Sequence, residues 1–337
     1  MWLHSLGAEL SGISVGVPSE PSNYVSSNLS NFIEDNRVDI RDLQRVKEII
    51  KSYQPDFIFH LAAQSLVRPS YNSPIETIEI NAIGSANILE AVRVLDKKVN
   101  VVMITSDKAY NNHEWPWGYK ETDELGGSDP YSASKGMAEL AIRSYVSSFL
   151  SKNSKVNLAV ARAGNVIGGG DWATDRIVPD CIRAWALNEC VDIRSPNSTR
   201  PWQHVLEPLS GYLMLGMAIS TNDKFHGEAY NFGPSSNQDY SVKDLIGEME
   251  RYWENVRWND TSDKSQSMHE AGLLKLNCDK ALHDHGWIPT LNFQQTVKMT
   301  VEWYKEFYQS GDEVSMYDFT SNQIKEYTSL AMKQNIS

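Results

Sequence analysis

The sequence predicts an α/β protein: a doubly wound parallel sheet of Rossmann type with a smaller α/β domain beside it. Two observations carry that prediction. Along the first half, short β-branched or aromatic runs alternate with longer stretches of helical period, as when helices cross over between parallel strands. Near Gly164 the alternation gives way to Gly-, Pro- and Trp-containing segments of irregular spacing, which points to a second, smaller unit.

Taken in order, strands are expected at 9–15, 56–60, 99–105 and 156–161. Between them, residues 41–51 put Leu43, Val46, Ile49 and Ile50 on one helical face, and residues 74–95 carry Ile75, Ile78, Ile83, Ile88 and Leu89 with Ala and Gly between. Both are expected to be crossover helices. A further helix opens near Pro130 and runs to Leu150, residues 258–266 are loop-like, and the last twenty or so residues form a helical or frayed tail. The expected division is 1–165 plus about 205–233 for the first domain, about 166–204 plus 234–310 for the second, and 311–337 as a C-terminal tail.

The 337 residues, 41% of them hydrophobic, supply a sizeable core and exclude disordered and fibrous architectures. With 31 Lys and Arg against 43 Asp and Glu the formal net charge is −12, which argues against nonspecific binding to nucleic acid or an anionic membrane. An anionic ligand must therefore meet a local arginine cluster. Cys181, Cys190 and Cys278 cannot all pair with one another and form no CxxC, and no two of the eight histidines have zinc-site spacing, so no metal is expected. No run approaches the roughly 20 apolar residues of a membrane span, and the first residues lack a basic and then apolar leader. A soluble, cytoplasmic protein is expected.

The sharpest local signal is Tyr131-Ser132-Ala133-Ser134-Lys135 at the start of the third helix. Four residues apart, the phenol and the ammonium share a face, so the lysine can lower the tyrosine pKa and make it a base for a hydroxyl proton. Such spacing also arises by chance in helices. The second signal is the apolar run from Val101 to Ile104, which ends in Thr105-Ser106-Asp107-Lys108. In open α/β sheets the ligand crevice lies outside the carboxyl ends of the strands, although a solvated turn has the same composition.

Together these two elements resemble the Ser/Thr–Tyr–Lys set of the extended short-chain dehydrogenase/reductase superfamily. Further runs narrow the resemblance to the CDP-glucose 4,6-dehydratases of bacterial deoxysugar biosynthesis, of the O-antigen and lipopolysaccharide kind: VDIRD at 38–42, FHLAAQ at 59–64, WPWGY at 115–119, ARAGNVIGGGDW at 161–172 and RPWQHV at 200–205. The last two and Lys108 are the specific part, and the match runs from about Met1 to about Tyr304.

The resemblance implies an NAD-dependent hydro-lyase that acts on CDP-glucose, a nucleotide sugar, and forms a homodimer through the helices near 74–95 and 131–150. In it Tyr131 takes the proton from the sugar 4-hydroxyl, Lys135 assists, Ser106 bonds the same hydroxyl, and Asp107 and Lys108 divide the acid and base work of eliminating water across carbons 5 and 6. Asp39 and Ile40 are expected at the adenine of NAD, and Leu61, Ala62, Ala63, Gln64 and Thr105 on the nicotinamide side with Asn81 and Arg162. Asn165, Arg176, Arg194, Arg200 and His204 are expected to bind substrate. Each of the three arginines also suits a surface ion pair, the two readings standing equal for Arg194, and His204 and His269 suit equally the role of structural histidines.

The resemblance departs at the front. Such enzymes start with a strand and a GxxGxxG turn that seats the pyrophosphate on a helix N-terminus; here residues 1–10 align with the back half of the following helix. The expectation is an N-terminally truncated sequence whose neighbouring strands are left unpaired. An epimerase or another nucleotide-sugar 4,6-dehydratase, or an inactive remnant that binds substrate or pairs with an intact subunit, stays open.

Overall fold

The computed structural model describes residues 1–150, 155–235, 238–262, 273–311 and 315–335. The chain opens with one helical turn, α1 (Trp2–Ser5), and strand β1 (Ser11–Ser14). After α2 (Asn23–Ser26) comes β2 (Glu34–Arg37), which pairs in parallel with β1. Helix α3 (Leu43–Tyr53) crosses to β3 (Phe57–His60): Asp42 caps its first turn, Gln54 closes it in the left-handed region at φ 53°, and Val46 and Ile50 are its buried face.

Short helices α4 (Val67–Asn72) and α5 (Pro74–Ile78) lead through a π-helical turn, Glu79–Ile83, into α6 (Gly84–Arg93). The expected helix over 74–95 is thus one run with an extra residue wound into it, and that turn carries Asn81. Strand β4 (Val99–Ile104) follows, then α7 (Pro130–Ser148), started by Pro130 and the Asp129 cap, and β5 (Val156–Ala163).

The remaining elements are β6 (Val166–Ile167), α8 (Ile177–Ala186), β7 (Val191–Ile193), β8 (Thr199–Arg200), β9 (Gln203–His204), α9 (Leu206–Thr221), β10 (Ala229–Phe232), β11 (Tyr240–Ser241), α10 (Val242–Met249), β12 (Trp258–Asp260), α11 (Asp279–His285), α12 (Phe293–Ser310) and α13 (Met316–Asn335). Strand β12 pairs in parallel with β7, so the stretch expected as loop at 258–266 begins as a strand; its residues 263–266 lie outside the described residues.

The main sheet runs β10-β5-β4-β3, all parallel. Strand β5 is buried throughout and β4 at all but its last residue, which is why both are mostly apolar rather than alternating, with Asn100, Asn157 and Arg162 the buried exceptions. On one face Val46, Leu89, Val92 and Ile142 from α3, α6 and α7 pack on Val101, Met103 and Leu158; on the other Tyr212, Leu215 and Ile219 of α9, with Trp287, pack on Val102, Ala159 and Phe232. Each such fully buried apolar side chain stabilises by about 1.5–3 kcal/mol. Helices on both faces make the sheet doubly wound, as expected.

Strands β1 and β2 form a separate ribbon. Ile13 of β1 and Ile58 of β3 lean on the same core, yet β1 and β3 exchange no hydrogen bonds among the described residues. β2, Glu-Asp-Asn-Arg, has no apolar residue and was not among the expected strands.

The second lobe has its own core, in which Trp185, Leu245, Val297, Trp303 and Tyr304 are buried. It meets the sheet through the glycine run at 168–170, where a Cβ on Gly169 would fall 2.0 Å from Cγ of Trp303, so only glycine allows that approach. Residues 316–335 are not frayed. Ile324 and Tyr327 of α13 are buried against Leu206, Leu291 and Met299, Tyr327 donates to Glu207 Oε2 at 2.8 Å, and His4 Nδ1 lies 2.6 Å from the Tyr317 hydroxyl. No helix among the described residues is long and apolar enough to cross a membrane.

Candidate active site

The carboxyl ends of β4 and β5 open into a cleft of about 560 Å³ between the sheet and the second lobe, within the size range of small-molecule sites. Where β4 ends, Ser106 turns the chain. Its hydroxyl accepts from Lys108 N at 3.2 Å and donates to Asp107 Oδ1 at 2.9 Å, so a short 3₁₀ turn presents Asp107 and Lys108 to the cleft. From the opposite wall α7 begins with Asp129, whose carboxylate accepts from Ser132 N at 2.9 Å. That cap fixes Tyr131 and Lys135 on the face toward the cleft. Leu61, Ala63, Thr105, Ser106, Asp107, Lys108, Tyr131, Lys135, Asn165, Arg176, Arg194 and Arg200 all line it, so twelve of the expected residues come together.

Burial sets the electrostatics. It pushes Tyr131 up to about 12, with the nearby Ser106 hydroxyl opposing and the Asp107 charge adding. The lowering by Lys135 that the spacing suggests is not what this geometry gives: the ammonium lies 5.9 Å from the ring centroid and desolvation dominates. Lys135 itself is pushed down to about 8 by burial, with Glu139 pulling the other way. Its Nζ has no hydrogen bond or ion pair within the described residues. Burial also raises Asp107, and the Lys108 charge only partly offsets this.

Asp107 is held from behind. Asn165, left-handed at φ 53°, brings Nδ2 to 3.5 Å from Oδ2, and a Cβ on Gly164 would sit 2.0 Å from the same oxygen. Gly164→Ala is therefore expected to swing the Asp107 carboxyl out of place and cut turnover at least tenfold with little change in Michaelis constant; unchanged kcat would remove Asp107's present rotamer from the argument.

The arginines span the mouth. Arg176 donates to Ser65 Oγ at 3.1 Å and lies 3.5 Å from Asp171; Asp175 lies 3.2 Å from Arg68 and 3.7 Å from Arg194. Arg200 lies close enough to Asp107 to lower its pKa. This is the local cationic cluster that a −12 chain needs for an anion.

Seven expected residues lie elsewhere. Asp39 is engaged by Arg41 through Nε at 3.0 Å and Nη2 at 2.7 Å. Ile40 is core, wedged against Gly84, and Ala62 packs on the same cluster. Gln64 and Asn81 lock one another: Asn81 accepts from Gln64 N at 2.8 Å and donates to Gln64 O at 2.9 Å and Ser134 Oγ at 2.8 Å, so they shape the loop after β3. Arg162 does not reach the cleft. It is fully buried behind the sheet, donating through Nε and Nη2 to Glu139 at 2.7 and 2.9 Å and through Nη1 to the Tyr110 hydroxyl at 2.7 Å. His204 also faces inward: its Nδ1 accepts from Leu206 N at 3.3 Å, and burial keeps the ring neutral, with its pKa down at about 4. His269 lies outside the described residues.

Three further lining residues were not among the expected site residues, although Trp202 belongs to the RPWQHV run. Asp175 and Trp202 come from the second lobe, and Tyr212 reaches in from α9 on the far face of the sheet.

Comparison with known proteins places the chain in a family. A family model described as GDP-mannose 4,6 dehydratase matches residues 18–300. A CDP-glucose 4,6-dehydratase of Salmonella typhimurium is 40% identical over 334 residues, 98% of this chain and 92% of the relative. A CDP-paratose 2-epimerase of Salmonella typhi is 26% identical over 82% of this chain and 86% of its own. Among solved structures, a UDP-glucose 4-epimerase of Thermotoga maritima superposes with a TM-score of 0.75 at 20% identity, covering 91% of this chain and 94% of that one. A dTDP-glucose 4,6-dehydratase of Streptomyces venezuelae gives 0.71 at 20%, over 90% and 88%. These two likenesses establish the fold. Sheet, cleft and family match thus converge: the chain belongs to the GDP-mannose 4,6 dehydratase family within the extended short-chain dehydrogenase/reductases.

Proposed function

We propose that this chain dehydrates CDP-glucose to CDP-4-keto-6-deoxyglucose with NAD as a recycled cofactor. The observation that carries the reading is the meeting of Ser106, Asp107 and Lys108 with Tyr131 and Lys135 around one cleft, in a chain 40% identical to a CDP-glucose 4,6-dehydratase.

NAD fits the donors present. The buried Lys135 ammonium, without a protein hydrogen-bond partner among the described residues, suits the hydroxyls of a ribose, and the small Ala63 and Ala163 beside it leave room for a flat ring. Leu61 and Thr105 complete that wall, Gln64 and Asn81 hold its shape, and Asp39, just past β2, would face the adenine with Ile40 packed behind it in the core. When bound, NAD supplies a hydride acceptor for carbon 4 and a hydride donor for carbon 6.

The chain's residues move the protons. Tyr131 takes the proton of the 4-hydroxyl as carbon 4 is oxidised, and Ser106 orients that oxygen. The ketone then acidifies the carbon-5 proton. Because burial raises the pKa of Asp107, its carboxyl is the group suited to protonate the departing 6-hydroxyl, which leaves Lys108 to take the carbon-5 proton. The pair shares one turn and acts as a coupled unit. Asn165, Arg176, Arg194 and Arg200 hold the nucleotide diphosphate.

A biosynthetic enzyme of the bacterial cytosol, feeding O-antigen deoxysugars, accords with three unpaired thiols. We also infer a homodimer. Ile75 and Ile83 on the helical run from Pro74, and Met137 and Leu140 on the α7 packed against it, are all exposed. Leu140→Glu is expected to leave monomers in analytical ultracentrifugation, and an unchanged dimer would move the interface elsewhere.

The direct test is mass spectrometry of CDP-glucose incubated with the chain, with and without added NAD. Loss of one water supports the reading. No loss from CDP-glucose, with loss from the UDP, dTDP or GDP sugar, overturns the choice of nucleotide, and an interconverted hexose with no water lost would mark an epimerase.

A further inference from the structure

We propose that Glu139 is a positioning residue of this active site: one helical turn beyond Lys135, it supplies the fixed negative charge that keeps the Lys135 ammonium charged, and Arg162 and Thr105 clamp it there. The proposal rests on the dehydratase reading for what Lys135 does, and on the spacing along α7 and the clamp on the carboxylate for how Glu139 acts on it.

Tyr131, Lys135 and Glu139 follow one another at intervals of four on α7 and so share one face of it. All three are buried, Glu139 to 1% exposure. The carboxylate is not free to turn toward the lysine. Oε1 accepts from Arg162 Nε at 2.7 Å and from Thr105 Oγ1 at 2.6 Å, and Oε2 accepts from Arg162 Nη2 at 2.9 Å. Arg162 is itself tied on, through the Tyr110 hydroxyl at 2.7 Å and from there to Asn231 Oδ1 at 2.8 Å, with its guanidinium 4.8 Å from the Tyr110 ring centroid. One bonded chain thus joins the end of β4, α7, β5 and β10, and it places a charge that acts on Lys135 through space. Thr105 immediately precedes Ser106, so the same carboxylate also steadies the exit of β4.

A buried ion pair is a costly way to hold a fold together, since well-packed apolar residues of similar volume do so as well or better. Its electrostatic effect on a neighbour is a reason to have one here. The other charged or titratable groups around Lys135 do not substitute for it. Tyr131 and Asp129 lie on or at the start of its own helix. From β3 comes His60, which burial and the Lys135 charge push down to about 3, so it is neutral. From the end of β4 come Asp107, driven toward its neutral form by burial, and Lys108, which carries no negative charge in either form; from β5 comes the cationic Arg162. The helices on the flank bury the neutral Ser70, Thr77 and Asn81. Asp129, the other carboxylate, is tied to Ser132 N and Oγ as the α7 cap and lies off the face that Tyr131, Lys135 and Glu139 share, so Glu139 is the lasting negative charge on that face.

The test reads Lys135 directly, by nitrogen-15 NMR of lysine-labelled full-length protein across pH, with Lys135→Met used only to assign the Nζ signal. In the native protein the ammonium is expected to titrate near 8. In Glu139→Gln, checked for folding by circular dichroism, the midpoint should fall by about one pH unit, a roughly tenfold loss of the charged form above it, and the alkaline limb of kcat should move with it while CDP binding stays near normal. If Glu139→Gln does not fold because Arg162 is left unpaired, Glu139→Gln with Arg162→Met removes both charges and should still lower the midpoint. An unmoved midpoint in the folded variant, or a native midpoint already well below 7, overturns the proposal. If the midpoint moves but the native chain does not dehydrate CDP-glucose, the functional reading fails and the proposal about Glu139 stands.

Discussion

Tyr131→Phe is expected to lower dehydration of CDP-glucose by about 10³-fold or more, within the range a positioned general base contributes, while CDP binding stays near normal. The phenol faces the Ser106 hydroxyl, whose hydrogen bonding opposes the rise in its pKa, and the open cleft ahead. Phenylalanine keeps the ring and its packing but cannot take the 4-hydroxyl proton. Because burial holds the phenol at about 12 in the ligand-free protein, its deprotonation depends on positive charge brought near it. Oxidation at carbon 4 should therefore rise with pH on its acid side. Single-turnover absorbance of NADH reads that step, and a variant that still forms NADH at the native rate would remove Tyr131 from the base role.

Asp107→Asn should behave differently. The first oxidation should survive, and water loss should slow by about 10²–10⁴-fold, the usual worth of a positioned acid. Asparagine keeps the shape and can still meet Ser106 and Asn165, but it has no proton to give the departing hydroxyl. The expected signature is accumulation of NADH and of the 4-keto sugar before elimination. The pH dependence has a definite sign: the acid form is required and burial raises its pKa, so elimination holds to a higher pH than an ordinary carboxyl would allow and then falls as pH rises through that raised pKa. Equal loss of oxidation and elimination in the variant would show Asp107 acting on substrate placement instead.

The sheet was legible because physics wrote it in a short-range pattern. β4 and β5 are buried on both faces and are apolar over most of their length, and α3 repeats Val46 and Ile50 at helical spacing. β2 was not, since its four polar residues are held by pairing with β1 rather than by burial. Within the site, residues contiguous with a strand exit or a helix start could be read directly, which is why Thr105 to Lys108 and the Tyr131–Lys135 pair meet as expected. Arg162 shows the limit of reading by proximity to a motif. Ala163 faces the cleft, and alternation along a strand turns its neighbour away from it. Asp175 and Tyr212 join the cleft only through the tertiary fold, and no local pattern announces them. Glu139 was within reach, one more step of four along the helix that carries Tyr131 and Lys135.

The carboxylate between Arg68 and Arg194 bears on how an anion would enter. Asp175 already stands beside both guanidinium groups, at 3.2 and 3.7 Å. A diphosphate binding there would displace a tethered competitor, one whose local concentration is set by the fold and cannot be diluted. Affinity there is the difference between two ion pairings rather than the gain of one. Such an exchange leaves the net number of paired charges nearly constant, so added salt weakens old and new pairs alike.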